Sequence, residues 1–93
     1  MPRPKHRRRI CGKPHSHFFK PAGVSRVELE EVTLNQDEFE AIRLKDFKGL
    51  DQETAAKEMN ISQPTFHRVL VSGRGKVAEA IVKGKSIKIP KNS

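Results

Sequence analysis

Gln52-Glu53-Thr54-Ala55-Ala56-Lys57-Glu58-Met59-Asn60-Ile61-Ser62-Gln63-Pro64-Thr65-Phe66-His67-Arg68-Val69-Leu70 is the stretch on which the fold turns. Asp51 precedes it as an N-cap, so one helix runs from Gln52 to Met59. Asn60 follows where a helix usually ends in Gly; Asn is the next-best residue for a positive φ. Ser62 then caps another helix. Pro64 sits in its first turn, where a missing amide has no intrahelical acceptor to lose. Ala55 and Ala56 are small enough for the two helices to cross closely, and Met59 and Ile61 plug the corner beneath the turn. Phe66, Val69 and Leu70 fall at i, i+3 and i+4, which makes them the buried face of the second helix. This is a helix-turn-helix pattern.

The opposite face of that second helix presents Gln63, Pro64, His67 and Arg68. In such a motif these are the positions that reach base edges when the helix enters a major groove N-terminus first. Arg68 suits a bidentate pair with guanine and Gln63 one with adenine. Ser62 and Thr65, beside the free amides of the helix start, suit phosphate, as do Arg74 and Lys76 further on.

Around this centre the pattern remains mainly helical. Asn35 with Glu38 three residues on reads as a capping box, and Leu34 with Phe39 as a hydrophobic staple. A helix from there runs to about Lys48, with Gly49 suited to the left-handed C′ position. Its apolar residues Phe39, Ile42, Leu44 and Phe47 span a broad arc, which predicts contacts on more than one side. Glu38 and Glu40 read as first-turn charges that complement the helix dipole. A fourth helical segment, Lys76 to Lys83, places Val77 and Ile81 four apart and ends at Gly84. Gly73 and Gly75 each cost about 1 kcal/mol in a helix interior, leaving open whether it joins the third helix. Val27-Glu28-Leu29-Glu30 alternates as a half-buried strand does, and so does Ser86-Ile87-Lys88-Ile89 before Pro90. Acids on the first and lysines around the second favour pairing, within a chain or across a dimer, expected here as antiparallel.

The chain has 93 residues, 34% of them hydrophobic, with five Phe and no Trp or Tyr. That suffices for one small domain with a thin core and argues against a self-contained enzyme with a deep pocket. No nucleophile–base arrangement stands out, so no enzymatic activity is expected. No apolar run approaches the ~20 residues of a membrane helix, and no signal-peptide core follows the basic start. A lone Cys11 excludes an internal disulfide and fits a reducing cytosol, so a cytoplasmic location is expected.

The net charge of +8 is unevenly placed. Residues 1–26 carry eight basic residues and no acid, residues 27–56 three basic and nine acidic, and residues 57–93 eight basic and two acidic. The first segment is punctuated by Pro2, Pro4, Gly12, Pro14, Pro21 and Gly23. It reads as an extended basic arm, unable to form the amphipathic helix that membrane-surface binding needs. Arg3, Lys5, Arg7, Arg8, Arg9 and Lys13 are its candidate phosphate contacts. His6, Cys11, His15 and His17 also form a cluster with some zinc-ligand character. Cys11 is single, however, and the spacings match no common zinc finger, so no cofactor is assigned.

Two resemblances extend this reading. Asp37 to Leu70, with Ala41-Ile42-Arg43-Leu44, Phe47-Lys48-Gly49-Leu50 and Asn60-Ile61-Ser62, looks like region 4 of bacterial sigma-70 factors, the part that contacts promoter DNA. Nearly the full length is more similar still to a small prokaryotic family of predicted DNA-binding proteins, domain of unknown function 134. Pro2-Arg3-Pro4, Arg8-Arg9-Ile10-Cys11, Phe19-Lys20-Pro21-Ala22-Gly23 and Glu28-Leu29-Glu30-Glu31-Val32 carry that likeness. So do Glu38 to Leu44, Ser62 to Leu70, Lys76-Val77-Ala78 and Gly84-Lys85. The resemblance implies transcriptional regulation.

The expected architecture is therefore a mainly α, three- to four-helix domain over residues 27–93. It includes a helix-turn-helix and a short two-stranded β element near 27–32 and 86–89, behind a basic arm over residues 1–26. The expected function is sequence-specific double-stranded DNA binding as a transcriptional regulator, with helix 63–71 in the major groove and a homodimer as the working unit. The alternative is an adaptor of the transcription machinery that binds RNA polymerase and touches DNA incidentally. RNA binding is weaker, because no aromatic stacking platform is recognisable.

Overall fold

The computed structural model of the chain describes residues 10, 12–25 and 28–91. Strand β1 (Phe18–Phe19) comes first, then β2 (Glu31–Thr33) and helix α1 (Gln36–Ile42), which continues into a π-helical turn, Arg43–Phe47. Helix α2 (Gln52–Glu58), helix α3 (Gln63–Lys83) and strand β3 (Ser86–Lys88) complete the order. Helical structure takes up about half of the described residues. The fold is thus mainly α with three helices and a small sheet.

The core lies where α1, α2 and α3 meet. Ala41, Leu44, Ala55, Ala56, Met59, Phe66 and Leu70 are buried there, with Ile42, Leu50, Ile61 and Val69 packed against them. Small residues at 41, 55 and 56 let the helices approach, and Phe66, Met59 and the two leucines fill the space between.

Helices three and four of the sequence reading are one helix. α3 runs unbroken through Gly73 and Gly75 for 21 residues, to a left-handed Gly84 with φ 67°. The reason at Gly73 is packing. A Cβ there would meet Glu38 Cβ at 3.1 Å, Ile42 Cδ1 at 3.2 Å and the Glu38 carbonyl oxygen at 3.3 Å. Glycine thus lets α3 lie against α1, and that contact offsets its poor helix propensity. The C-terminal half of α3 buries Ala80 and leaves Ile81 74% exposed.

α1 also departs from expectation at its end. Beyond Ile42 the chain widens into a π turn, with the Lys48 N–H donating to the Arg43 carbonyl at 2.9 Å. Leu44 stays buried, but Phe47 is 85% exposed, so the apolar arc is left open at Phe47. Gly49 has the positive φ expected of it, 77°.

The sheet has three strands in the order β1-β3-β2. β2 and β3 pair in parallel, Val32 opposite Ile87, rather than antiparallel. All three helices lie between the two strands in sequence, the long crossover that a parallel pair requires. Charge complementarity survives the change of direction, since Lys85 Nζ lies 3.2 Å from Glu30 Oε1. β2 also lies beyond the alternating stretch from which it was expected: residues 28–30 are not in a strand, Val27 lies outside the described residues, and pairing runs only from Glu31 to Thr33.

The third strand is β1, which pairs antiparallel with β3, Phe18 opposite Lys88. It lies within the segment whose charge and prolines read as an arm. The Ile89 N–H donates to the His17 carbonyl at 2.9 Å, and His17 Nδ1 lies 2.9 Å from the Ile89 carbonyl oxygen. Strand pairing needs only backbone groups, which is why two residues among prolines can join a sheet.

Candidate nucleic-acid interface

α2 and α3 are joined by the turn Met59–Ser62, in which Asn60 has φ 59°, the only positive φ of a non-glycine among the described residues. Each helix start is capped by a side chain. Asp51 Oδ1 accepts from the Thr54 N–H at 2.7 Å, and Ser62 Oγ from the Thr65 N–H at 3.3 Å. The Thr54 hydrogen bond holds the Asp51 carboxyl below its usual range. These caps fix the angle at which α3 leaves the turn.

Leaving the turn, α3 buries Phe66 and Leu70 completely. Gln63, Pro64, His67 and Arg68 are all exposed on the other side. Gln63 with His67, and Pro64 with Arg68, are pairs four apart, so the four form one patch on the first two turns. Ser62 Oγ donates to Thr65 Oγ1 at 2.9 Å, and Arg68 Nη2 donates to the same oxygen at 3.3 Å. Thr65 Oγ1 thus accepts twice, which leaves its own proton free to donate outward. The Arg68 side chain, held to Thr65 by this bond, is exposed.

One partner of this patch was not read from the sequence. Gln52, the first residue of α2, places Nε2 3.3 Å from His67 Nδ1. The two residues are fifteen apart, and no helical or strand period links them. The contact exists only because the turn folds the start of α2 beside α3.

Arg74 and Lys76 lie on α3 but are engaged within the chain. Arg74 forks onto Asp46, Nε to Oδ2 at 3.0 Å and Nη2 to Oδ1 at 2.5 Å. Hydrogen bonds from Arg74 hold the Asp46 carboxyl below its usual range. Lys76 Nζ lies 2.9 Å from Glu38 Oε1. A phosphate at either residue would share the cation with a carboxylate already bound to it.

The acids of α1 are therefore not simple dipole partners. Glu38 and Glu40 are buried, 5% and 1% exposed. Glu38 accepts from the Asn35 N–H at 2.9 Å, as a capping box needs, and also from Ser72 and Lys76 of α3. Burial opposes its ionisation, but these hydrogen bonds outweigh burial and lower its pKa. Glu40 accepts from Arg43 Nε and Nη2 at 2.8 and 2.9 Å and from the Gly12 N–H at 3.1 Å. It ties the N-terminal segment to α1.

Among the other expected contacts, Lys13 is exposed. Arg3, Lys5, Arg7, Arg8 and Arg9 lie outside the described residues, as do His6 and Cys11 of the candidate metal set. Within the described residues, no three His, Cys, Asp or Glu side chains gather as metal ligands, and His17 is turned to the Ile89 carbonyl. No helix among them is long and apolar enough to cross a membrane.

A family model described as protein of unknown function DUF134 matches residues 1–92. The chain is 53% identical over 89 residues to UPF0251 protein DET0218 of Dehalococcoides mccartyi, covering 96% of this chain and 76% of that protein. It is 54% identical over 89 residues to a UPF0251 protein of Moorella thermoacetica, covering 96% and 60%. With UPF0251 protein TTE1845 of Caldanaerobacter subterraneus subsp. tengcongensis it shares 48% identity over 89 residues, covering 96% and 75%. No solved structure matches the chain. With nearly every residue matched by one family model and half of them identical in these bacterial relatives, the chain belongs to the prokaryotic DUF134 family.

Proposed function

We propose that this chain binds double-stranded DNA in a sequence-specific way and acts as a transcriptional regulator, with α2 and α3 as a helix-turn-helix. The observation that carries the reading is the patch Gln63, Pro64, His67 and Arg68, exposed on the first turns of α3 while Phe66 and Leu70 anchor the opposite face. The first turns of the second helix are the part that enters a major groove in such motifs. Ser62 and Thr65 at the start of α3 lie beside this patch and suit phosphate contact. The resemblance of residues 37–70 to sigma-70 region 4 supports the same assignment.

The charge pattern supports a division of labour. The basic residues of the first segment supply affinity for the phosphate backbone, and one face of α3 supplies base choice. A homodimer on paired half-sites would raise specificity beyond what one small module achieves. Selection of duplexes from a random library by the purified chain, with structured RNA as competitor, tests this. A single enriched duplex motif is expected. Failure to enrich any, with co-purification of RNA polymerase, would favour the adaptor reading instead.

A further inference from the structure

We infer, resting on the DNA-binding reading, that Gln52 is a positioning residue that sets the polarity of the His67 ring and so the kind of base His67 accepts. Gln52 Nε2 lies 3.3 Å from His67 Nδ1. An amide nitrogen offers only donors, so Nδ1 accepts and the ring N–H is at Nε2. Nε2 lies on the ring edge away from Nδ1, and His67 is exposed. The ring therefore presents an N–H to whatever enters beside α3.

In the major groove an N–H pairs with guanine O6 or N7, adenine N7 or thymine O4. It is repelled by the N4 amino group of cytosine, which also donates. The class of base edge His67 takes is thus a hydrogen-bond acceptor. Without the Gln52 amide the ring is free to turn over or exchange tautomers, and it then favours donors and acceptors about equally. Gln52 need not touch a base to affect specificity. It acts through His67, as the partners of metal-bound histidines fix which ring nitrogen does the work.

Neither side chain is buried, so the contact contributes little to folding. This makes the test clean. Duplex selection and quantitative binding would compare the full chain with Gln52→Leu, His67→Ala and the double variant. Gln52→Leu and His67→Ala should lose preference at the same single base pair, by about fivefold or more. The double variant should lose no more than His67→Ala alone. Thermal melting of Gln52→Leu should match that of the unaltered chain. The inference is overturned if Gln52→Leu leaves the motif unchanged, weakens all duplexes alike, or adds its loss to that of His67→Ala. Each of those results leaves DNA binding itself standing. If the unaltered chain enriches no motif, both the DNA-binding reading and this inference fail.

Discussion

Lys76 Nζ lies 2.9 Å from Glu38 Oε1, an ion pair across the α1–α3 contact in which the carboxylate is buried and the ammonium half-buried. Ser72 donates to the second carboxylate oxygen, so two residues of α3 satisfy one acid of α1. Removing a donor here leaves a buried charge short of partners. Lys76→Met should cost about 1–3 kcal/mol, measured by urea denaturation.

The same group gives a pH dependence. The folded chain holds the Glu38 carboxyl below its ordinary value of 4.5, so the folded state binds that proton more weakly than the unfolded one. Its stabilising contribution is fully present above that value and is lost as pH falls through the lower, folded one. The stability gap between the unaltered chain and Glu38→Gln should therefore be widest above about pH 5 and close in acid. A gap that stayed constant down to about pH 3 would contradict it.

Gly73 and Gly75 make a paired test of helix propensity against packing. Nothing lies within 4 Å of a Cβ added at Gly75, so Gly75→Ala should stabilise by about 0.5–1 kcal/mol. At Gly73 the added methyl meets backbone and a fixed Cβ of α1. Gly73→Ala should destabilise, by about 1 kcal/mol after the propensity gain is subtracted from about 1–3 of overpacking. Opposite signs in denaturant midpoints are expected.

Gly12 is a third sensitive glycine, for a different reason. A Cβ there would overlap Arg43 Nε, which is held by Glu40. Gly12→Ala should push Arg43 off the buried carboxylate and cost about 2 kcal/mol in thermal or chemical unfolding. It should also loosen the segment carrying β1, seen as faster amide exchange at Ile89, whose N–H bonds to His17.

The basic segment and the α3 face should separate in binding experiments. Removing residues 1–9 deletes five Arg and Lys while sparing β1. It should weaken specific and random duplexes alike and flatten the salt slope by up to about 4.5, at ~0.9 per phosphate contact. Arg68→Ala should instead relax discrimination at one base pair, by about 1–3 kcal/mol, with little change on random DNA.

Much of the fold was legible in the chain because its signals are local. Caps at Asp51 and Ser62, the turn at Asn60 and the apolar spacing of Phe66 and Leu70 each depend on a few neighbouring residues. The exposed patch of α3 follows from the same spacing. Three features were not legible. The parallel pairing of β2 and β3 depends on where α1, α2 and α3 carry the chain. The continuity of α3 through two glycines depends on α1 lying against Gly73. The burial of Glu38 and Glu40 depends on Ser72, Lys76, Arg43 and Gly12, donors that lie far along the chain in three of the four cases.

By itself, then, the sequence determined α2, the starts of α1 and α3, their caps, the tight turn and which face of the first turns of α3 stands free. All of these follow from backbone propensity and short-range periodicity. Only the tertiary structure decided the strand directions, the partners of the buried acids, the capture of Arg74 by Asp46 and the meeting of Gln52 with His67. Apart from Asn35 with Glu38 and Arg43 with Glu40, each three residues apart, those contacts join residues that no local period relates, and they arise only where helix packing brings distant atoms within hydrogen-bonding reach.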